Sequence, residues 1–164
     1  MILNRQRTVP VSLRSLDRFG QRLRQTLDLP EDSLTVCLVS EAEIARWNRA
    51  YRGKNGPTDV LSFLGGGERH AGTRSGSRRR SRSRASAEPA PPWAGETDGY
   101  LGDIAIAPTV ARRNARRLGR GLALELRILM LHGALHLLGY DHERDHGEMD
   151  RLERRLRRRL GLAT

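Results

Sequence analysis

His132-Gly133-Ala134-Leu135-His136-Leu137-Leu138-Gly139-Tyr140-Asp141-His142 is the stretch around which the rest of this chain is arranged. On an α-helix, residues four apart lie one turn above each other, so His132 and His136 aim both imidazoles at one point. Gly139 falls where that helix should end, and glycine tolerates the left-handed backbone that turns a chain back on itself. Such a turn returns His142 to the same point. Upstream, Leu122 to Leu138 is apolar nearly all round, so the helix carrying the first two histidines is expected to be buried and central. Three neutral imidazoles with a fourth position open to water make the ligand set of a catalytic zinc site, because structural zinc is closed by four protein ligands. The expected cofactor is one Zn2+ per chain, held by His132, His136 and His142.

The spacing of these histidines and of Gly139 matches the metzincin protease pattern H-E-x-x-H-x-x-G-x-x-H, with one difference. Gly133 stands where those proteases keep the glutamate that acts as general base. A metalloprotease-like hydrolase therefore has the ligands without the base. Asp141 and Glu143 flank His142, and Asp141 suits a turn or a hydrogen bond to the far nitrogen of a ligating histidine. His146 reads as an exposed helix residue, and Asp103 as a residue packing a strand end near the site.

Working outward, the periodicity predicts a helix over Ser12–Leu27, with Leu13, Leu16, Leu23 and Leu27 on one face, and a strand over Leu34–Val39. Ser40 and Glu43 form an S-x-x-E capping box that opens the next helix, with Ile44 and Trp47 facing the core. Gly53 to Pro57 is a turn cluster, and Val60–Leu64 and Leu101–Ala107 read as two further strands. After Pro108, apolar Val110, Ala111, Ala115 and Leu118 share a helix with a basic face of Arg112, Arg113, Arg116, Arg117 and Arg120. Met149, Leu152, Leu156 and Leu160 give a last amphipathic helix whose arginines lie outside. The expected fold is α/β (α+β): a single domain over 1–164 with a small mixed sheet packed against helices and a buried central metal-binding helix. Between the middle strands, residues at about 65–99 are rich in Arg, Ser, Gly and Pro, too poor in apolar surface to order themselves, and are expected to form a disordered basic insert.

Three blocks in this order carry a resemblance. The string from His132 to His142, the segment Asn48-Arg49-Ala50-Tyr51-Arg52 with Pro57-Thr58-Asp59-Val60-Leu61-Ser62-Phe63, and Leu101-Gly102-Asp103-Ile104 are similar to the signature blocks of the YbeY family, bacterial zinc-dependent endoribonucleases of ribosomal RNA maturation. The resemblance implies a single-strand-specific endoribonuclease acting on the 3′ end of 16S ribosomal RNA and in ribosome quality control. It also implies that Arg52 is the functional arginine of the N-x-x-Y-R block, a cation placed to stabilise transition-state charge. The same surface would suit a non-catalytic ribosome-assembly protein that binds RNA and uses its metal only for structure.

Charge fits either RNA reading. The chain carries 30 Lys+Arg against 19 Asp+Glu, a net charge of +11, and Lys54 is its only lysine. Guanidinium forks donate paired hydrogen bonds to phosphate, so polyanions are the expected partners: single-stranded RNA, ribosomal RNA and ribosomal particles, with no DNA expected. Membrane insertion is excluded because Glu125, Arg127, His132 and His136 interrupt the longest apolar run. No secretory core follows Met1, so a cytoplasmic location is expected. Cys37, the single cysteine, sits between Val36 and Leu38 and reads as a buried small hydrophobe.

Overall fold

In the computed structural model, residues 1–65, 99–141 and 145–162 are described. They form four strands and five helices: β1 (Ile2–Asn4), α1 (Leu13–Thr26), β2 (Leu34–Leu38), α2 (Glu41–Arg52), β3 (Val60–Leu64), β4 (Gly102–Ile106), α3 (Pro108–Arg117), α4 (Leu122–Leu137) and α5 (Glu148–Arg159). The strands lie in the order β1-β2-β4-β3. β1, β2 and β4 run parallel, and β3 pairs antiparallel with β4, Leu64 opposite Gly102. The sheet is therefore mixed, as the sequence led us to expect.

β2 and β4 are buried along their whole length because both of their faces are covered. On one face Leu34, Val36, Leu38, Ile104 and Ile106 pack with α1, α4 and α5 in the larger core. On the other, Cys37, Leu61 and Ala105 pack with Ile44 of α2 and Val110 of α3, while half-buried Trp47 and Phe63 close the edge. Cys37 is fully buried, and burial raises its thiol to about 11, which leaves it an inert hydrophobe at neutral pH.

Local signals set most boundaries. Ser12 caps α1, and Ser40 with Glu43 forms the reciprocal capping box at the start of α2. Three expectations need correcting. Leu13 and Leu118, read as core, are 39% and 55% exposed because each sits at a helix end where the apolar stripe has run past the sheet. His146 is exposed, but it lies in the turn before α5 and not in the helix. Arg157, expected to point outward with the other arginines of α5, is half-buried against Glu153. β1, which no periodicity announced, adds an edge strand beside β2.

Residues 66–98, most of the stretch expected to form the basic insert, lie outside the described residues. Among the described residues no helix is long and apolar enough to cross a membrane.

Candidate metal centre

α4 runs through the larger core, with Leu126, Met130, Leu131 and Leu135 at most 1% exposed, so the backbone bearing the histidines is held rigidly. Its underside meets the sheet at Gly133. A Cβ there would lie 2.7 Å from Cγ2 of Ile104 and 3.1 Å from Oγ of Ser62, and that hydroxyl donates to the Gly133 carbonyl at 3.1 Å. The glycine lets helix and sheet approach. It also leaves no room for a glutamate at the position where the metzincins keep their base.

The helix ends in a Schellman turn. Gly139 adopts φ 90°, its N–H bonds to the His136 carbonyl at 3.0 Å, and the Tyr140 N–H bonds to the Leu135 carbonyl at 3.1 Å. The left-handed turn expected of Gly139 is present. It sends the chain back at Asp141; His142 itself lies outside the described residues.

His132 and His136 converge as their spacing requires. Their Nε2 atoms are 3.1 Å apart, with the rings at 81° to each other. The separation matches two ligands of one tetrahedral ion, for which bonds of about 2.0–2.1 Å place neighbouring nitrogens roughly 3.3 Å apart. Behind His132, Glu153 of α5 holds Nδ1 through Oε2 at 3.0 Å. Burial raises the Glu153 carboxyl, and hydrogen bonds from His132 and Arg157 outweigh that effect, so it titrates below the ordinary glutamate range and is ionised at neutral pH. An ionised carboxylate only accepts, so His132 carries its hydrogen on Nδ1 and offers the Nε2 lone pair to the shared point. The donor set fits a metal ion. Among the described residues, no group of three or more ligand-type side chains is gathered, the third expected ligand being His142.

Asp141, read as suiting a turn or a hydrogen bond to a ligand nitrogen, takes part in the turn, its carbonyl accepting the Asp145 N–H at 2.9 Å; the carboxylate on His132 is Glu153. Sequence reading missed Glu153 because it treated α5 as a leucine stripe with a basic exterior. The available signal was a lone acid on the apolar side of that helix, in register with Met149 and Leu156.

Around His132 opens a cleft of about 260 Å³, lined among others by Asp59, Asn114, Arg117, Arg120 and Arg157. Of the resemblance blocks, Asp59, Val60 and His132 line it, and neighbouring contacts fix the segments that carry them. Asn114 donates to Asp59 at 3.0 Å, Asn48 donates to the Gly56 carbonyl at 2.9 Å, and Tyr51 and Trp47 both meet Phe63 edge to face. Arg52 is exposed at the C-terminal end of α2 and is not among the residues lining this cleft. Asp103 is buried in β4 and accepts from the Tyr100 hydroxyl at 2.6 Å, a packing role at the strand end.

The chain is similar throughout to known proteins. A model of the family described as Endoribonuclease YbeY matches residues 1–161. The Endoribonuclease YbeY of Solibacter usitatus is 38% identical over 162 residues, covering 96% of this chain and 87% of that one. That of Aquifex aeolicus is 34% identical over 143 residues, covering 86% and 76%. Among solved structures, a Thermotoga maritima protein determined in solution superimposes with a TM-score of 0.55 at 27% identity, covering 98% of this chain and 89% of that one. With the family model spanning nearly every residue and relatives above 30% identity along their own length, the chain belongs to the endoribonuclease YbeY family.

Proposed function

We propose that this protein, a metal-dependent hydrolase of RNA phosphodiester bonds by its family, uses zinc to cut single-stranded ribosomal RNA at the 3′ end of the small-subunit molecule. It works in the cytoplasm on ribosomal particles, serves ribosome quality control as well as maturation, and leaves DNA alone. The observation that carries this reading is the convergence of the His132 and His136 Nε2 atoms with Glu153 set behind the first ring. His142, eleventh in the same string, is the third ligand in this reading.

When bound, the ion supplies a Lewis acid and brings a water's pKa toward neutrality. The chain's own residues do the rest. Glu153 fixes the His132 tautomer and ring plane, and Arg157, bonded to the same carboxylate, holds Glu153 ionised. Arg117 brings positive charge to the cleft wall, where the scissile phosphate gains charge in the transition state. Arg52 is proposed to grip the RNA from the end of α2.

Cleavage of a single-stranded fragment from the 3′ end of small-subunit ribosomal RNA, compared between wild type and His136→Ala purified identically, tests the reading. Cleavage by wild type alone, with both proteins folded, is the expected result. Equal behaviour of the two overturns it and favours an RNA-binding assembly protein. Unfolding on chelation would make the metal structural.

A further inference from the structure

A second, larger groove of about 730 Å³ lies along the outer face of α5, with Tyr140 at one end. Arg151, Arg154, Arg155 and Arg158 line it, spaced i, i+3, i+4 and i+7, so they form one stripe opposite the buried Met149, Glu153 and Leu156. All four are exposed. Arg151 spends one N–H on the His146 carbonyl and Arg154 one on the Asp150 carbonyl, contacts that brace the side chains while leaving other donors of each guanidinium outward. Arg155 and Arg158 have no acidic partner among the described residues. Glu148 is the single carboxylate in the lining.

The basic face of α3 differs. There Arg113 is bound by both oxygens of Glu41, and Arg120 is paired with the buried Glu125. Arg112, Arg116 and Arg117 have no acidic partner among the described residues, so the difference is one of arrangement: in α5 four guanidinium groups line one groove that holds a single carboxylate.

Tyr140 adds the second observation. Its backbone is pinned by the Schellman turn, its side chain remains 37% exposed at the groove, and it stands two residues before His142. An aromatic face beside a row of guanidinium groups is the combination that holds single-stranded nucleic acid, bases on the ring and phosphates on the arginines. The stripe from Arg151 to Arg158 runs about 10 Å, the length of roughly three stacked nucleotides. A protein partner would need an apolar centre, and the groove offers only Tyr140 and half-buried Leu152.

We infer that the α5 groove is a track for single-stranded RNA on the far side of α5 from the metal centre, with Tyr140 stacking a base and Arg151, Arg154, Arg155 and Arg158 holding the phosphates. This assignment rests on the nuclease reading only for the identity of the strand.

The test measures binding of a labelled single-stranded RNA of twelve nucleotides by anisotropy, using the full-length His136→Ala protein so that the probe is not consumed. Adding Arg155→Gln and Arg158→Gln should weaken binding about tenfold and lower the slope of log affinity against log salt by about 1.4, two phosphate contacts at about 0.7 each. Removing the same charge from α3 at two arginines that line neither groove, as Arg112→Gln with Arg116→Gln, should change affinity less than about twofold. Tyr140→Leu should weaken binding with the salt slope unchanged, and Tyr140→Phe should restore it. Equal effects of the α5 and α3 pairs overturn the track, and competition by polyglutamate equal to that of RNA overturns the ligand class. If binding behaves as expected but wild type cuts no RNA, the nuclease reading fails and the track stands; if wild type cuts while the α5 pair leaves binding and KM unchanged, the reverse holds.

Discussion

Glu153 lies 21 residues from His132 in sequence and 3.0 Å from it in space. A carboxylate in that position raises the basicity of the ring and fixes which nitrogen faces the metal, so its loss should be felt in affinity before it is felt in fold. Glu153→Gln is expected to lower metal affinity by about 10–100-fold, read by titration against a competing chelator. Unchanged affinity would mean that His132 is oriented by its helix alone. Gly133 makes a different kind of claim. A Cβ 2.7 Å from Ile104 would push α4 off the sheet, and Gly133→Ala is expected to cost about 1–3 kcal/mol in denaturant unfolding, the range for overpacking a tight core. A neutral substitution would show that the interface has slack. The histidine pair was legible because helical spacing is a local rule. Glu153 was not, since nothing local says that α5 folds back across α4; and Gly133 was legible as a missing base but not as a packing contact with Ile104.

At the scale of elements, α5 carries both Glu153 and the proposed track, and Asp145 secures its start. Its carboxylate accepts the N–H groups of Gly147 and Met149, each at 2.8 Å, in the manner of a helix cap. The Met149 N–H is the main cause of a carboxyl held below the ordinary aspartate value of 3.8, with Gly147, Glu148 and Arg151 adding to it. Because the folded value is the lower one, the stabilisation is fully present above 3.8 and fades as pH falls through the folded value. Amide exchange in the first turn of α5 should therefore accelerate on acidification below about pH 4, beyond the change in intrinsic rate, and Asp145→Asn should abolish that extra acceleration. An acid response identical in the variant would assign it to another group. The long helices were readable because their apolar stripes repeat over several turns. β1 was not, because three residues hold no period and its pairing with β2 comes from tertiary contact. Nor could sequence tell the two arginine faces apart: α3 and α5 look equally basic until four arginines of α5 are seen to line one groove with Tyr140.

For the whole molecule, the central question is whether residues 66–98 belong to the folding unit. β3 and β4 are antiparallel neighbours, Leu64 lies opposite Gly102, and the Gly65 N–H bonds to the Leu101 carbonyl at 2.8 Å. The chain thus leaves and re-enters the sheet at adjacent positions, the geometry that a hairpin loop of four or five residues closes. The residues described at the metal centre and in the α5 groove lie outside this stretch. Replacing residues 66–98 by a short Gly/Asn turn shortens the connection roughly eightfold, and at about 0.6 kcal/mol per doubling of loop length the sheet should gain up to about 2 kcal/mol. The urea midpoint should rise with an unchanged slope, and cleavage of a short single-stranded RNA should persist. A fall in stability of more than about 1 kcal/mol would show that the excised residues supply apolar contacts to the core, which their composition of arginine, serine and glycine argues against.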